Sequence, residues 1–309
     1  MRGGIQLVEQ DSTDLVSKYK AITPVPQQPG FAALIDGLDL TEELTAEVQK
    51  ELHQALLDFG VLFFNPQKLT AAQHIALAKC FGPLAKGSFF QRNDDAPEIE
   101  MIVFDRDNPP EINIWHSDLS WQKTPPLGSL IQITELPEAG GNTCFLSMTK
   151  AYEALSPGMK TYLEDLTALH TWEVSGFYEL VEKKGIDALA NTLKTFRPVE
   201  HPVVLTHPES GKKAIYVNET FTKEISGDLP IREGRAMLQF LCQWIQQPEF
   251  MVNHKWEQDG LAIWDNRSTQ HYACADYWPN RRVTHRVTLE QPGFADTLSP
   301  HIVATENAG

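Results

Sequence analysis

The clearest pattern in the chain is a series of short β-rich segments that are separated by turns containing proline and glycine. They cover residues 99–105, 112–118 and 128–136, and more follow between 201 and 291 as HPVVLTH, KAIYVN, FMVNHKW, GLAIWDN and HRVTLEQ. Many short strands with such punctuation are typical of a β-sandwich or jelly roll. A chain of this kind buries the inner faces of two sheets against each other.

Helical patterns surround these segments. Apolar residues at helical spacing predict helices over 41–60 and 69–82, with a buried strand at 61–65 between them. The stretches 149–166 and 231–246 are also predicted to be helical. We therefore expect a mixed α/β fold, mainly β, with helices packed outside the sheets.

The length of 309 residues fits one large domain or two small ones, and no internal repeat is visible. We predict a single domain over 1–309 whose ends, 1–20 and 292–309, are flexible. The weakly patterned stretch 172–198 falls between predicted strands. It is a candidate lid or insertion.

The charge of the chain limits its partners. The formal net charge is −15, which argues against nucleic acid and membrane surfaces because both are anionic. A local arginine cluster still permits an anionic small molecule. No apolar run is long enough to span a bilayer, and the four cysteines form no CxxC pair. These features predict a cytoplasmic protein with reduced thiols.

The segment INIWHSD (112–118) places His116 and Asp118 two positions apart in apolar surroundings. If the segment is a strand, both side chains point to one face. Burying an aspartate without a partner costs several kcal/mol, and a divalent metal would satisfy both residues. The alternative is that the two side chains pair with each other or face solvent.

Two ligands are too few for a metal, and His271 is the best candidate for a third. Two histidines and one carboxylate leave open coordination positions, which is the pattern of non-haem iron(II) oxygenases. Zinc more often takes three or four histidine or cysteine ligands, whereas calcium and magnesium prefer more oxygens.

From about residue 30 to 290 the chain resembles the Fe(II)- and 2-oxoglutarate-dependent dioxygenases of the taurine and phenoxyacetate dioxygenase family. The motifs that carry the resemblance are FGPL (81–84), WHSD (115–118), ELPEAGGNT (135–143), VNETF (217–221) and WDNRSTQHYACADYWPNRR (264–282). A lone HxD is a weak signal, but the same motif followed by NR-x-x-QHYA and a double arginine is specific. The resemblance implies a double-stranded β-helix, that is, a cupin-like jelly roll.

The resemblance also implies roles for individual residues. The implied iron ligands are His116, Asp118 and His271. Arg282 and Thr143 would bind the distal carboxylate of 2-oxoglutarate, since a guanidinium can donate two parallel hydrogen bonds to a carboxylate. Gly140 and Gly141 would allow the backbone to approach the cosubstrate closely.

Arg286 matches the arginine that binds the acidic group of the substrate in taurine-type enzymes. The alternative is that Arg286 forms a structural salt bridge with one of the 41 acidic residues. Other positions depart from those enzymes, because Gly87, Phe90 and Ile112 stand where polar side chains help to hold the sulfonate. Aromatic side chains that are candidates for the pocket are Phe89, Phe90, Trp121, Trp172, Phe177 and Phe221. The predicted substrate-binding residues are Arg286, Phe90, Phe221 and Trp121. We expect an organic acid that is larger or more hydrophobic than taurine.

The leading hypothesis is that the protein hydroxylates a small carboxylate or sulfonate with O₂ and converts 2-oxoglutarate to succinate and CO₂. A second hypothesis is a biosynthetic oxidase of the same family that performs desaturation or carbon–nitrogen rearrangement. A third is a ligand-binding jelly roll without catalysis. The expected partner is a small organic acid, and a homo-oligomer is a further possibility.

Overall fold

A computed structural model of the protein describes residues 12–85, 91–183, 185–227 and 229–291. Within them the helices α1 to α8 are Ser12–Ser17, Ala46–Phe59, Ala71–Lys79, Met148–Glu153, Pro157–Glu164, Phe177–Glu182, Ile186–Thr195 and Ile231–Ile245. Strands β1 to β8 are Thr23–Gln28, Phe31–Asp36, Val61–Phe64, Gln91–Arg92, Glu100–Phe104, Gly128–Glu135, Thr143–Ser147 and Thr167–His170. Strands β9 to β16 are Val199–Pro202, Val204–Thr206, Lys213–Ile215, Thr222–Ser226, Met251–His254, Leu261–Asp265, Thr269–Ala273 and Arg282–Leu289.

The largest sheet has the strand order β1-β2-β3-β14-β6-β16-β5-β4. Its neighbours pair antiparallel except β2 and β3, which are parallel. A second sheet has the order β13-β7-β15. The order mixes strands that are distant in sequence, as expected when two sheets wind around a common core.

Aromatic side chains join the inner faces of these two sheets. Phe145 of β7 lies with its ring centroid 5.7 Å from that of Phe63 on β3 and 5.8 Å from that of Trp264 on β14. Ile131 and Ala262 belong to the same buried cluster. The two facing sheets with helices outside them confirm the predicted jelly roll.

Helices α2 and α3 cover the outer face of the large sheet. Helix α2 begins after Thr45, whose side chain accepts a hydrogen bond from Val48 N, and ends at Gly60 with φ of 72°. Its Leu52 and Leu56 join a buried cluster with residues of the sheet. Because the apolar face repeats with the helical period, the sequence predicted this helix well.

The stretch 172–198 is ordered into a short 3₁₀ turn and helices α6 and α7. Trp172 and Leu189 from this stretch are buried together with Trp121 and Phe221. The stretch thus packs against the loop that follows the HxD motif. Its role as a lid stays a prediction.

One prediction about secondary structure was wrong, and a second is confirmed with an interruption. Residues 112–118 do not form a strand: only His116 pairs, by a single antiparallel bridge to His271, and the chain then turns at Leu119 with φ of 50°. The stretch 149–166 forms two helices, because Pro157 begins α5 after the cap residue Ser156 and disfavours helical geometry just before it. The ends 1–11 and 292–309 and the positions Gly87, Phe89 and Phe90 lie outside the described residues.

In the part of the chain that the structure describes, no helix has the length and apolar character needed to cross a bilayer.

Candidate active site

Three residues from two distant parts of the chain, His116 and Asp118 in one and His271 in the other, meet in the structure. His116 and His271 exchange backbone hydrogen bonds of 3.1 and 2.9 Å, which hold their ring centroids 4.2 Å apart. Asp118 Oδ1 lies 3.7 Å from His116 Nε2 and 3.9 Å from His271 Nε2. The three side chains are buried, and one ligand atom of each lies within 4.8 Å of the others. This spacing suits a single metal ion.

Neighbouring groups orient the ligand atoms. His116 Nδ1 lies 2.7 Å from the carbonyl oxygen of Ile114, so that nitrogen donates and Nε2 is free to bind a metal. The Ser129 hydroxyl donates to Asp118 Oδ2 at 3.1 Å, so Oδ1 faces the histidines. Nothing in the sequence around Ser129 marked it as part of this group.

The electrostatics of the group suit a cation. Burial lowers the pKa of His271 to about 3 and also lowers the pKa of His116, so both imidazoles are neutral at physiological pH. Burial alone would raise the pKa of Asp118, but His271, Arg286 and His116 lower it below its ordinary value. Two neutral imidazoles and one carboxylate are the protonation states that a divalent metal requires.

Arg282 lies on the wall of the same cavity as the three ligands, with 7% of its surface exposed. Its Nη1 donates to Thr284 Oγ1 at 3.0 Å, while Nε has no hydrogen-bond partner. Among the described residues, no carboxylate comes within ion-pair distance of this guanidinium. Burial lowers the pKa of Arg282, because a buried positive charge without a counter-ion is energetically unfavourable. The site therefore calls for an anion.

Thr143 and the glycine turn before it complete this end of the cavity. Trp256 Nε1 donates to Thr143 Oγ1 at 2.9 Å, so the threonine hydroxyl can donate its own hydrogen to a ligand. Gly141 has φ of 74°, and a Cβ there would lie 3.4 Å from Arg282 Cδ. A side chain at this position would crowd the guanidinium.

One wall of the cavity comes from directly opposed residues on two strands. Arg286, Thr284 and Arg282 of β16 face Glu100, Ile102 and Phe104 of β5, respectively. Five of these six side chains line the cavity, Glu100 being the exception. Further apolar lining residues are Pro110, Ile112, Leu119, Ile131 and Phe221. Ile112, predicted to make the pocket apolar, does lie on this wall.

Arg286 lines the cavity and forms the salt bridge that was the alternative interpretation of this residue, with a partner that the sequence did not identify. Its Nε lies 2.6 Å from Glu100 Oε2, and its Nη1 lies 3.8 Å from Asp118 Oδ1. Burial opposes its charge, but Glu100 and Asp118 raise the pKa of Arg286 above its ordinary value. The available signal was the alternation of Glu100 with Ile102 and Phe104, which puts all three on one face of a strand.

Of the aromatic residues predicted to contact substrate, Phe221 lines the cavity and Trp121 does not. Phe221 lines the cavity, with its ring 6.3 Å from that of His116. Trp121 is 3% exposed and does not line the cavity, contrary to the prediction of substrate contact. It packs instead against Phe196, with ring centroids 5.1 Å apart, because the turn after Asp118 points it into the cluster with Trp172. Phe90 lies outside the described residues.

Comparisons with known proteins agree with this geometry. Residues 21–288 match the family described as "Taurine catabolism dioxygenase TauD, TfdA family". An alkylsulfatase of Acinetobacter baylyi is 32% identical, and the match covers 84% of this chain and 82% of the relative. An alpha-ketoglutarate-dependent 2,4-dichlorophenoxyacetate dioxygenase of Cupriavidus pinatubonensis is 31% identical over 80% of this chain and 90% of the relative.

Solved structures are similar over the same length. A taurine dioxygenase from Burkholderia xenovorans has a TM-score of 0.74 at 31% identity, covering 88% of this chain and 90% of that one. The structure of AAD-2 in complex with Mn(II) and N-oxalylglycine has a TM-score of 0.73 at 29% identity, covering 88% and 98%. The chain belongs to the taurine dioxygenase family of 2-oxoglutarate-dependent dioxygenases, whose reaction uses Fe²⁺, 2-oxoglutarate and O₂.

Proposed function

We propose that this enzyme hydroxylates a small, largely apolar organic acid, either a carboxylate, a sulfonate or a sulfate ester. The observation that carries the proposal is the buried Arg282, which lacks an anionic partner among the described residues and shares a cavity with the His116–Asp118–His271 group. A metal site beside an unmatched guanidinium fits a metal-bound keto acid whose far carboxylate needs a counter-ion.

In this proposal His116, Asp118 and His271 hold iron(II), and Arg282 and Thr143 bind the distal carboxylate of 2-oxoglutarate. Iron, when bound, supplies oxygen activation coupled to the oxidative decarboxylation of 2-oxoglutarate to succinate and CO₂. The similar AAD-2 structure, which holds Mn(II) and N-oxalylglycine, supports this arrangement by analogy. The protein positions the two acids and excludes water around the reacting C–H bond.

The substrate class follows from the Arg286 end of the β5–β16 wall and from the apolar side chains near it. Arg286 offers hydrogen-bond donors to an acidic group, and side chains such as Ile102, Phe104 and Phe221 would contact an apolar body. The ammonium group of taurine finds no available carboxylate in the described part of this region, since Asp118 faces the two histidines and Glu100 binds Arg286. The names of the relatives, which include an alkylsulfatase and a phenoxyacetate dioxygenase, support the same choice.

The test is an anaerobic titration of the protein loaded with iron(II) and 2-oxoglutarate, followed by exposure to O₂. The panel contains hexyl sulfate, hexanesulfonate, an aryloxyacetate and taurine. We expect one of the first three to shift the weak visible charge-transfer band and to yield succinate, with taurine inactive. The Asp118→Ala variant is the control and should yield none.

A protein that forms no such band, or that consumes no O₂ with any acid in the panel, would contradict the proposal and favour a ligand-binding jelly roll. The mass of the product separates hydroxylation, which adds oxygen, from desaturation, which removes two hydrogens. A cytoplasmic location and a homo-oligomeric state stay predictions.

A further inference from the structure

The ion pair between Glu100 and Arg286 supports an inference about substrate selectivity. This inference rests on the proposed function and goes beyond it. We propose that Glu100 is a specificity-determining residue: it reduces the positive charge available at Arg286, so that the cavity accepts monoanionic acids and rejects dianions such as phosphate monoesters and phosphonates. Glu100 need not touch the substrate for this role, because it acts through the guanidinium.

The pair is enclosed. The Glu100 and Arg286 side chains are only 6% and 14% exposed, and Thr288 Oγ1 donates to the same Glu100 oxygen at 3.4 Å. Solvent therefore screens the pair weakly. Cross-strand register sets Glu100 directly opposite Arg286, so the contact is part of the sheet.

The two edges of the Arg286 guanidinium have different neighbours. Glu100 occupies the Nε side at 2.6 Å, which leaves the Nη end nearest to the proposed metal site, where Nη1 is 3.8 Å from Asp118 Oδ1. An acid that accepts a hydrogen bond from this end comes close to two carboxylates, Asp118 at the metal site and Glu100 behind the guanidinium.

The repulsion grows with the charge of the substrate. If the acidic group lies roughly 8 Å from Glu100 and the effective dielectric constant is about 20, Coulomb repulsion lowers the affinity about thirtyfold for each negative charge of the ligand. A second charge on the ligand therefore meets a second penalty of the same size. Sulfates, sulfonates and carboxylates carry one charge, whereas a phosphate monoester carries nearly two above its second pKa of about 6.

The experiment compares hexyl sulfate with hexyl phosphate at pH 8, since the two have the same chain and a tetrahedral head group. Dissociation constants are measured anaerobically by calorimetry on the iron(II)- and 2-oxoglutarate-loaded protein, so the readout does not depend on turnover. Glu100→Gln keeps a hydrogen-bond acceptor for Arg286 Nε and removes the charge. We expect it to bind hexyl sulfate at least tenfold more tightly and hexyl phosphate at least a hundredfold more tightly.

Glu135→Gln is the matched control, because it also removes a glutamate paired with an arginine but at an exposed site. It should change neither constant. A second measurement needs no variant: lowering the pH from 8 to 6 protonates part of the phosphate ester, and its affinity for the wild-type protein should rise severalfold relative to that of hexyl sulfate.

Two results would overturn the inference. In one, Glu100→Gln leaves the phosphate-to-sulfate preference as it is in the Glu135→Gln control. In the other, it weakens both ligands equally, as expected if Glu100 only holds Arg286 in place. Neither result touches the proposed function, which fails instead if no acid supports succinate formation.

Discussion

Ser129 provides a direct test of how the proposed iron site is organised. Its side chain is completely buried and donates to Asp118 Oδ2 at 3.1 Å, which turns Oδ1 toward the two histidines. A hydrogen bond to a buried charged group contributes about 1.5–3 kcal/mol. Ser129→Ala removes that contribution and frees the carboxylate to rotate, so we expect iron(II) affinity to fall about 10- to 100-fold.

The assay is an anaerobic metal titration of the apoprotein, with Mn(II) as a second ion that does not oxidise. Ser147→Ala is a suitable control, because Ser147 is also buried but caps helix α4 by accepting a hydrogen bond from Lys150 N. It should lower stability by about 1 kcal/mol and leave metal affinity unchanged. If Ser129→Ala bound iron as tightly as the wild type, the argument that this hydroxyl positions Asp118 would be refuted.

Other predictions test the cosubstrate end and the buried histidines. Arg282→Ala should raise the KM for 2-oxoglutarate by about 100-fold or more, as expected when a buried anion loses its partner, whereas Arg281→Ala at the exposed neighbour should have little effect in the same steady-state assay. Gly141→Ala should also raise this KM, because a φ of 74° is strained for alanine and its Cβ would lie 3.3 Å from Tyr277 Cδ1 and 3.4 Å from Arg282 Cδ, while Gly158→Ala meets no atom within 4 Å and should be silent. Burial lowers the pKa of His74 to about 4 from the usual 6.5, so the unfolded chain binds this proton more readily. The contribution of His74 to the free energy of unfolding is therefore complete above pH 6.5. It decreases by about 1.4 kcal/mol for each pH unit as the pH is lowered from 6.5 to 4. As the pH is lowered through this range, the urea midpoint should decrease less in His74→Leu than in the wild type. Parallel pH profiles of the two proteins would contradict a contribution of His74 to acid destabilisation.

Features that depend on local pattern were predictable from the sequence. Helix α8 was expected over 231–246 and is found at Ile231–Ile245. An apolar face that repeats with the helical period can be recognised within a stretch of this length, without knowledge of the rest of the fold. The ligand set His116, Asp118 and His271 was also within reach, because the residue types and their order in the chain are themselves the signal.

Features that depend on pairing across the sheets were not predictable in this way. Glu100 and Arg286 are 186 residues apart, and their contact exists only because β5 and β16 are neighbours in a given register. The segment around His116 looked like a strand because it is apolar and alternating. Its apolar residues instead serve a loop that touches β15 at a single bridge. Local composition does not distinguish a paired strand from an apolar loop that makes a single bridge.

The position of β5 near the margin of the large sheet has an evolutionary consequence. Both proposed acid-binding arginines sit on the interior strand β16, four residues or about 13 Å apart along it. The residues facing them come from β5, which only the two-residue β4 separates from the rim. Substitutions on β5 can therefore change which acids the cavity accepts, while Arg282, the proposed anchor of the keto acid, stays on β16.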